Sequence, residues 1–233
     1  LQLDDKRIIF LIPYLDKYTL IGTTDHEVKS YDNPKITNIE KKYLISSVNK
    51  FIKNKITEDN IIWTYSGVRP LVEDLSENAS KITRDYTFEI DDKDAPILTV
   101  FGGKLTTFRK LSEHALDKIS KYIKISNRSW TGSEILPGGE RTTDLNFLIP
   151  KGILPRLIKT YGHKVTKLNQ YYQGFNHGGE HIFNDLYEFE IKYLVLEEMA
   201  KTSEDILFRR TKLGINFPKE KLPNLEDILK KYL

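Results

Sequence analysis

Residues 98–109 read Leu-Thr-Val-Phe-Gly-Gly-Lys-Leu-Thr-Thr-Phe-Arg, and this stretch joins a strand to a helix. The run from Ile97 to Phe101 is rich in β-branched and aromatic residues, which favour strands. Two glycines follow it, and the apolar residues beyond them recur at the spacing of one helical face. Those apolar residues are Phe108, Leu111, Ala115, Leu116, Ile119 and Ile123. The pattern therefore predicts a strand, a glycine turn and then a helix.

The glycine turn has the chemistry of an anion site. Gly102 and Gly103 carry no Cβ, so a flat ligand can approach the main chain there. A helix N-terminus aims backbone amides at an anion, Lys104 adds a positive charge, and Thr106 or Thr107 is suited to the N-cap. We therefore expect a ligand that is negative, or that becomes negative during a reaction. An ordinary tight turn is the alternative interpretation of the same residues.

Two arginines add to the expected positive charge. Pro70 favours an extended backbone at Arg69, and Arg84 lies at the head of a β-prone run. Arginine donates bidentately to phosphate and stays charged, so a pair of arginines suits a phosphorylated substrate. The alternative is that both side chains are solvated surface arginines.

These segments resemble the carboxyl-terminal portion of the FAD-dependent glycerol-3-phosphate dehydrogenases. The matching segments occur in the order of the family and cover nearly the whole chain. They are Arg7-Ile-Ile-Phe-Leu-Ile-Pro-Tyr, Leu20-Ile-Gly-Thr-Thr-Asp, Thr64-Tyr-Ser-Gly-Val-Arg-Pro-Leu, Thr83-Arg-Asp-Tyr, Phe101-Gly-Gly-Lys-Leu-Thr-Thr-Phe-Arg-Lys-Leu, Trp130-Thr, Leu136-Pro-Gly-Gly and Thr202-Ser-Glu-Asp-Ile-Leu-Phe-Arg-Arg-Thr-Lys-Leu-Gly.

The resemblance implies the oxidation of sn-glycerol 3-phosphate to dihydroxyacetone phosphate, with FAD as cofactor and a membrane quinone as electron acceptor. It implies that Arg69, Arg84 and Lys104 bind the substrate, and that Arg84 also stabilises the developing alkoxide. It places FAD against the glycine turn and the start of the helix that follows. The cofactor-binding residues are then Gly102, Gly103, Lys104, Leu105, Thr106 and Thr107.

One expected motif of such flavoenzymes is missing from this sequence. No Gly-x-Gly-x-x-Gly unit, which seats the FAD pyrophosphate, occurs here. The chain starts at Leu1, and Met199 is its single methionine. We therefore expect a fragment with an incomplete FAD site that is inactive alone and has the amino-terminal half as its partner. A glycerol-3-phosphate oxidase that uses oxygen, or a non-enzymatic folded fragment, are the alternatives.

The expected fold class is α+β. Residues 1–125 are predicted to hold a mostly antiparallel substrate-domain sheet together with the last strand and helix of the FAD-binding domain. Residues 126–139 are predicted to be a linker, because Leu136-Pro-Gly-Gly is a cluster of helix and strand breakers. Residues 140–233 are predicted to form an all-helical carboxyl-terminal domain.

Local patterns predict the separate elements. Residues 7–14 and 18–23 suggest a hairpin, and strands are expected near 61–66, 84–90 and 97–101. A helix is expected over 38–53, with Thr37 and Glu40 at capping-box spacing. Further helices are expected over 153–160 and 185–200, after the Thr202–Asp205 capping box, and after Pro223.

The composition excludes several classes of protein. The 36 basic and 33 acidic residues leave a net charge of +3, which is too balanced to indicate nucleic-acid binding. The absence of cysteine excludes disulfides and thiolate metal sites. His177 and His181 flank two glycines and lack a carboxylate at ligand spacing, so no metal site is predicted. The resemblance implies a cytoplasmic protein bound peripherally to the inner face of the cytoplasmic membrane, with a homodimer as its candidate assembly.

Overall fold

Short antiparallel hairpins and helices make up the first part of the chain, and helices dominate the second. The computed structural model describes residues 1–3, 7–15, 17–28, 30–69, 85–125, 129–141 and 146–233. Their contacts divide the chain into two units, Leu1–Gly132 and Ser133–Leu233. The α+β class is confirmed, whereas the predicted linker and domain limits stay predictions.

In the described part of the first unit, two hairpins supply the strands. β1 (Phe10–Tyr14) pairs antiparallel with β2 (Tyr18–Gly22), and β3 (Tyr86–Asp91) pairs antiparallel with β4 (Ile97–Gly102). The register places Tyr86 opposite Gly102. β3 therefore ends beside the glycine turn that follows β4.

The first helix is shorter than predicted. α1 covers Asn38–Asn49 instead of 38–53, because Phe51 donates its backbone N–H to Val48 in a tight turn that ends the helix. The capping box is confirmed: Glu40 N–H donates to the Thr37 hydroxyl, and the Glu40 carboxylate accepts from Thr37 N–H. This reciprocal pair satisfies amides at the helix start.

The strand predicted near 61–66 is wrong. Residues 61–66 are described, and they lie in no strand. The rings of Trp63 and Tyr65 stack with their centroids 5.1 Å apart. In this segment Trp63 therefore contacts a side chain two residues away on the same segment.

The second unit contains most of the predicted helices and some elements that the sequence pattern missed. α3 covers Leu154–Tyr161, α5 covers Glu188–Glu198 and α6 covers Leu222–Lys230. α4, at Val165–Gln173, was not predicted. β5 (His181–Phe183) pairs antiparallel with β6 (Leu186–Tyr187), so α5 begins later than the expected residue 185.

A π-helix follows the second capping box. Asp205 N–H donates to the Thr202 hydroxyl and Thr202 N–H donates to the Asp205 carboxylate, as predicted. The helix that this box opens runs over Asp205–Arg210 with π geometry. Arg209 pairs with Asp205 within it, and Arg210 donates to the carbonyl of Glu198 at the end of α5. Both arginines therefore have structural partners.

The second unit has a large buried core. Side chains from α3, α4, α5, α6 and the π-helix meet in it, and aromatic rings contact one another edge to face, for example Tyr172 on Phe189. The fully buried members include Leu157, Leu168, Ile182, Leu186, Phe189, Ile191, Leu194, Ile206 and Leu225. Each such side chain contributes about 1.5–3 kcal/mol by leaving water.

One ion pair lies inside this core. Both oxygens of Glu190, which is fully buried, accept from Arg156 at 2.9 and 2.6 Å. Tyr161 donates its hydroxyl to the same carboxylate at 2.7 Å, and Asp185 accepts from Arg156 Nε. Burial opposes the charge on Arg156, but the hydrogen bonds and charges of Glu190 and Asp185 outweigh it and raise the pKa of Arg156. The positive charge on Arg156 is therefore stabilised by its two acidic partners.

We expect the substitution Arg156→Met to destabilise the second unit strongly. It leaves the Glu190 carboxylate buried without its cation, which typically costs about 3–5 kcal/mol. Native-state hydrogen exchange of the α5 amides measures this loss in the second unit alone. Lys230→Met is the matched control, because its pair with Asp227 is 71% and 73% exposed, and we expect a change below about 0.5 kcal/mol there. Equal protection of α5 in both variants would contradict the prediction.

Candidate functional site

The glycine turn is the centre of the candidate site. Gly102 has φ 73° and Gly103 has φ 101°, a region that side chains with a Cβ rarely adopt. A Cβ on Gly103 would lie 3.0 Å from Leu111 Cδ1 and 3.4 Å from Tyr86 Cβ. Conformation and space therefore both require glycine at position 103.

The chain then enters the helix through a short turn. Lys104 is extended and exposed, Leu105–Thr107 form a 3₁₀ turn, and α2 covers Phe108–Ile119. Thr107 occupies the N-cap position, but its hydroxyl donates to the carbonyl of Lys104 at 2.9 Å instead of capping. Within this described segment no side chain caps α2. Backbone amides at the start of α2 therefore lack a side-chain acceptor at the N-cap of this helix.

Arg69 is held by an acidic partner. Its NH1 donates to Asp25 Oδ1 at 2.6 Å, and the two side chains are 43% and 38% exposed. The residues are 44 positions apart, so no local sequence pattern indicated the pair. Arg84 lies outside the described residues, as does Pro70. The assignments of Arg69, Arg84 and Lys104 to substrate, and of residues 102–107 to cofactor, stay predictions.

A polar cluster on α2 was missed by the sequence analysis. The Glu113 carboxylate accepts from Lys110 at 2.8 Å, from the hydroxyls of Ser129 and Thr131, and from Arg109 at 3.1 Å. Hydrogen bonds from Lys110, then Ser129 and Thr131, lower the pKa of Glu113 to about 2. The cluster ties the helix behind the glycine turn to residues 129–131.

His181, which follows the glycine pair 178–179, makes a local backbone contact. His181 Nε2 donates to the carbonyl of Asn184 at 2.5 Å, inside the turn between β5 and β6. Across the part of the chain that the structure describes, no group of three or more His, Cys, Asp or Glu side chains could hold a metal ion. No helix in the same part is long and apolar enough to cross a bilayer.

Comparison with known proteins assigns a family to each part of the chain. Residues 1–109 match the family described as FAD dependent oxidoreductase, and residues 129–232 match the C-terminal domain of alpha-glycerophosphate oxidase. The aerobic glycerol-3-phosphate dehydrogenase of Escherichia coli (strain K12) is 41% identical over 92% of this chain and 46% of that protein. The D-erythritol 1-phosphate dehydrogenase of Brucella abortus (strain 2308) is 39% identical over 91% of this chain and 45% of that protein. The chain therefore spans under half the length of these relatives.

A solved structure shares the fold. The crystal structure of the glycerol-3-phosphate dehydrogenase from Bacillus halodurans, complexed with FAD, matches with a TM-score of 0.67 at 23% identity. The match covers 99% of this chain and 51% of that chain.

We expect Gly103→Ala to destabilise the first unit by about 1–3 kcal/mol, because the new Cβ is strained at positive φ and meets Leu111. Urea unfolding followed by tryptophan fluorescence measures this, since Trp63 and Trp130 both belong to the first unit. Gly67→Ala is the control, as a Cβ there meets nothing within 4 Å. Similar unfolding midpoints for the two variants would show that the turn is not constrained.

Glu113 gives a pH-dependent prediction. Its folded pKa of about 2 is below the ordinary 4.5, so its contribution to stability is complete above pH 4.5 and is lost as the pH falls through about 2. We expect Ser129→Ala to raise the pKa of Glu113, as measured by an NMR titration of the carboxyl carbon. Ser112→Ala is the control on the same helix, because that hydroxyl donates to the carbonyl of Phe108. An unchanged Glu113 titration in Ser129→Ala would contradict the assignment.

Proposed function

We propose that this chain, as a member of the family of FAD-dependent glycerol-3-phosphate dehydrogenases, forms the substrate-binding and carboxyl-terminal portion of an enzyme. That enzyme oxidises sn-glycerol 3-phosphate to dihydroxyacetone phosphate. The observation that carries this proposal is the glycine turn, where Gly102 and Gly103 both have positive φ and lead within a few residues to a helix without a side-chain cap. That arrangement suits a flat, anionic group.

The residues present fit FAD on one side of its ring. Gly102 and Gly103 add no side chains to the turn, and the start of α2 brings a positive helix end to it. We assign Gly102, Gly103, Lys104, Leu105, Thr106 and Thr107 to hold the ring. When bound, FAD supplies the acceptor for the hydride that leaves C2 of the substrate. The amides at the start of α2 would stabilise negative charge on the ring.

The substrate phosphate needs fixed cations. It carries about two negative charges near neutral pH. Arg69 donates NH1 to Asp25 and has further guanidinium donors in the same plane, and Lys104 is exposed beside the glycine turn. We assign these two residues to the phosphate. Arg84 is assigned to the C2 oxygen, where a positive charge stabilises a developing alkoxide.

The first unit exposes apolar surface that suits a further protein layer. On β4, the exposed apolar residues are Ile97, Val100 and Phe101, and on α2 they are Phe108 and Leu116. Exposed apolar residues on a strand and its following helix mark an interaction surface. We propose that the amino-terminal half, corresponding to the rest of the relatives' length, covers this surface and completes the FAD site.

The names of related proteins suggest a second candidate electron acceptor and a second candidate substrate. The family of residues 129–232 is described from an alpha-glycerophosphate oxidase, which favours oxygen as the second candidate acceptor beside a quinone. The Brucella relative acts by its name on D-erythritol 1-phosphate, so a longer polyol phosphate is the second candidate substrate. With a quinone as acceptor, we place the enzyme peripherally on the inner face of the cytoplasmic membrane. A homodimer is the candidate assembly.

We expect the chain to oxidise sn-glycerol 3-phosphate when it is joined to the amino-terminal portion of the enzyme, and to be inactive alone. In the joined, FAD-containing enzyme, Arg69→Ala and Lys104→Ala each remove a charge-assisted hydrogen bond to phosphate. Each is expected to raise KM about 10- to 100-fold. Dye reduction at varied substrate concentration measures KM, and D-erythritol phosphate is compared in parallel.

Arg209→Ala is the control, because Arg209 pairs with Asp205 and Glu204 in the second unit. Peroxide formation without quinone reduction would assign the oxidase activity. A joined protein that binds no flavin and oxidises neither substrate would overturn the proposal in favour of a non-enzymatic fragment.

A further inference from the structure

The segment that carries Arg69 has no regular structure. Residues 61–69 lie in neither helix nor strand, so the backbone alone leaves the arginine poorly restrained. A long side chain on such a segment loses much rotamer freedom when it binds a ligand, and that loss weakens binding. A useful phosphate-binding arginine at this place therefore needs a second restraint.

Asp25 supplies a restraint from a distant part of the chain. It lies three residues after β2 ends at Gly22, and its Oδ1 accepts from Arg69 NH1 at 2.6 Å. Among the described residues, Arg69 makes this hydrogen bond with one terminal nitrogen of its guanidinium group, NH1. The remaining guanidinium donors keep the planar geometry that a phosphate requires.

The loop of Asp25 is anchored in turn to a helix. The hydroxyl of Thr24, the preceding residue, donates to Glu40 Oε1 at 2.7 Å. The other oxygen of Glu40 accepts from the N–H and the hydroxyl of Thr37, both at 2.8 Å. Glu40 thus closes the capping box of α1 and holds Thr24 with the same carboxylate.

The charge on Glu40 supports this anchor. Partial burial opposes ionisation, but the hydrogen bonds from Thr37 and Thr24 outweigh it and lower the pKa of Glu40. The carboxylate therefore stays ionised at neutral pH, and its hydrogen bonds are charge-assisted. The start of α1, Glu40, Thr24, Asp25 and Arg69 form a continuous chain of contacts.

We propose that Asp25 is a positioning residue, which orients the Arg69 guanidinium toward the substrate phosphate and is itself fixed by the link between Thr24 and Glu40. The inference rests on the proposed function, because it gives Arg69 a phosphate to bind. Two effects of Asp25 oppose each other: its charge repels a phosphate, and its hydrogen bond orders the arginine. Both side chains are substantially exposed, so solvent screens the repulsion, and the ordering dominates.

The first test uses the 233-residue chain itself. Nitrogen-15 relaxation at Nε of Arg69 reports how mobile the guanidinium is. We expect Asp25→Asn to lower its order parameter clearly, and Thr24→Val to lower it by less. Asp32→Asn is the matched control, because that exposed carboxylate interacts with Ser30. An Arg69 order parameter that is the same in the wild type and in Asp25→Asn would overturn the proposal.

The second test uses the joined, FAD-containing enzyme. We expect Asp25→Asn to raise KM for sn-glycerol 3-phosphate about three- to tenfold with kcat nearly unchanged, the size of effect that follows from losing one ordered side chain. In an Arg69→Ala background the same substitution is expected to have no further effect, because Asp25 acts through Arg69. A purely structural role would lower activity equally in both backgrounds.

The outcomes distinguish failure of the positioning role of Asp25 from failure of the proposed dehydrogenase function. A lower KM in Asp25→Asn would mean that repulsion dominates, and it would overturn the positioning role while leaving the dehydrogenase intact. An unsubstituted joined enzyme that does not oxidise the substrate would contradict the proposed function, and the relaxation measurement on the chain would still decide whether Asp25 orders Arg69.

Discussion

The backbone at Gly102 and Gly103 constrains everything else at the candidate site. Two successive positive φ angles turn the chain out of β4, where Gly102 is still paired with Tyr86, and into the extended Lys104. α2 can then begin at Phe108 and pack Leu111 close to the turn. Side chains with a Cβ are strained in this turn, so the direction of α2 depends on glycine at these positions.

The two units are stabilised by different means. In the second unit, side chains from several helices share a large buried core with a satisfied ion pair inside it. The buried core of the described part of the first unit comprises Leu3, Ile9 and Val48. Polar contacts such as those of Glu40 and Glu113 connect its elements, and apolar side chains of β4 and α2 remain exposed. Among the described residues, apolar burial is thus smaller in the first unit than in the second.

The sequence predicted features that residues a few positions apart determine, and it missed features that depend on residues far apart in the chain. The capping boxes at Thr37 and Thr202, and the turn at Gly102–Gly103, arise from residues within a few positions, and the structure contains them. The strand near 61–66 was wrong, because an apolar run does not specify a pairing neighbour. The β5–β6 hairpin and α4 were missed, since strands of three and two residues and a helix of nine give little periodicity. The ion pairs of Arg69 and Arg156 join residues 44 and 34 positions apart, where sequence patterns carry no signal.

The electrostatics of the candidate site also depend on contacts between residues that are far apart in the sequence. A net charge of +3 over the whole chain provides little long-range attraction for a phosphate. Arg69 is already neutralised by Asp25, so on the proposed function it contributes direction and hydrogen bonds more than net charge. Lys104 is exposed beside the glycine turn and is then the cation that supplies attraction there. On the proposed function, recognition of a phosphorylated substrate depends on where a few side chains are held, and the contacts from α1 through Glu40 to Asp25 then belong to the site together with Arg69.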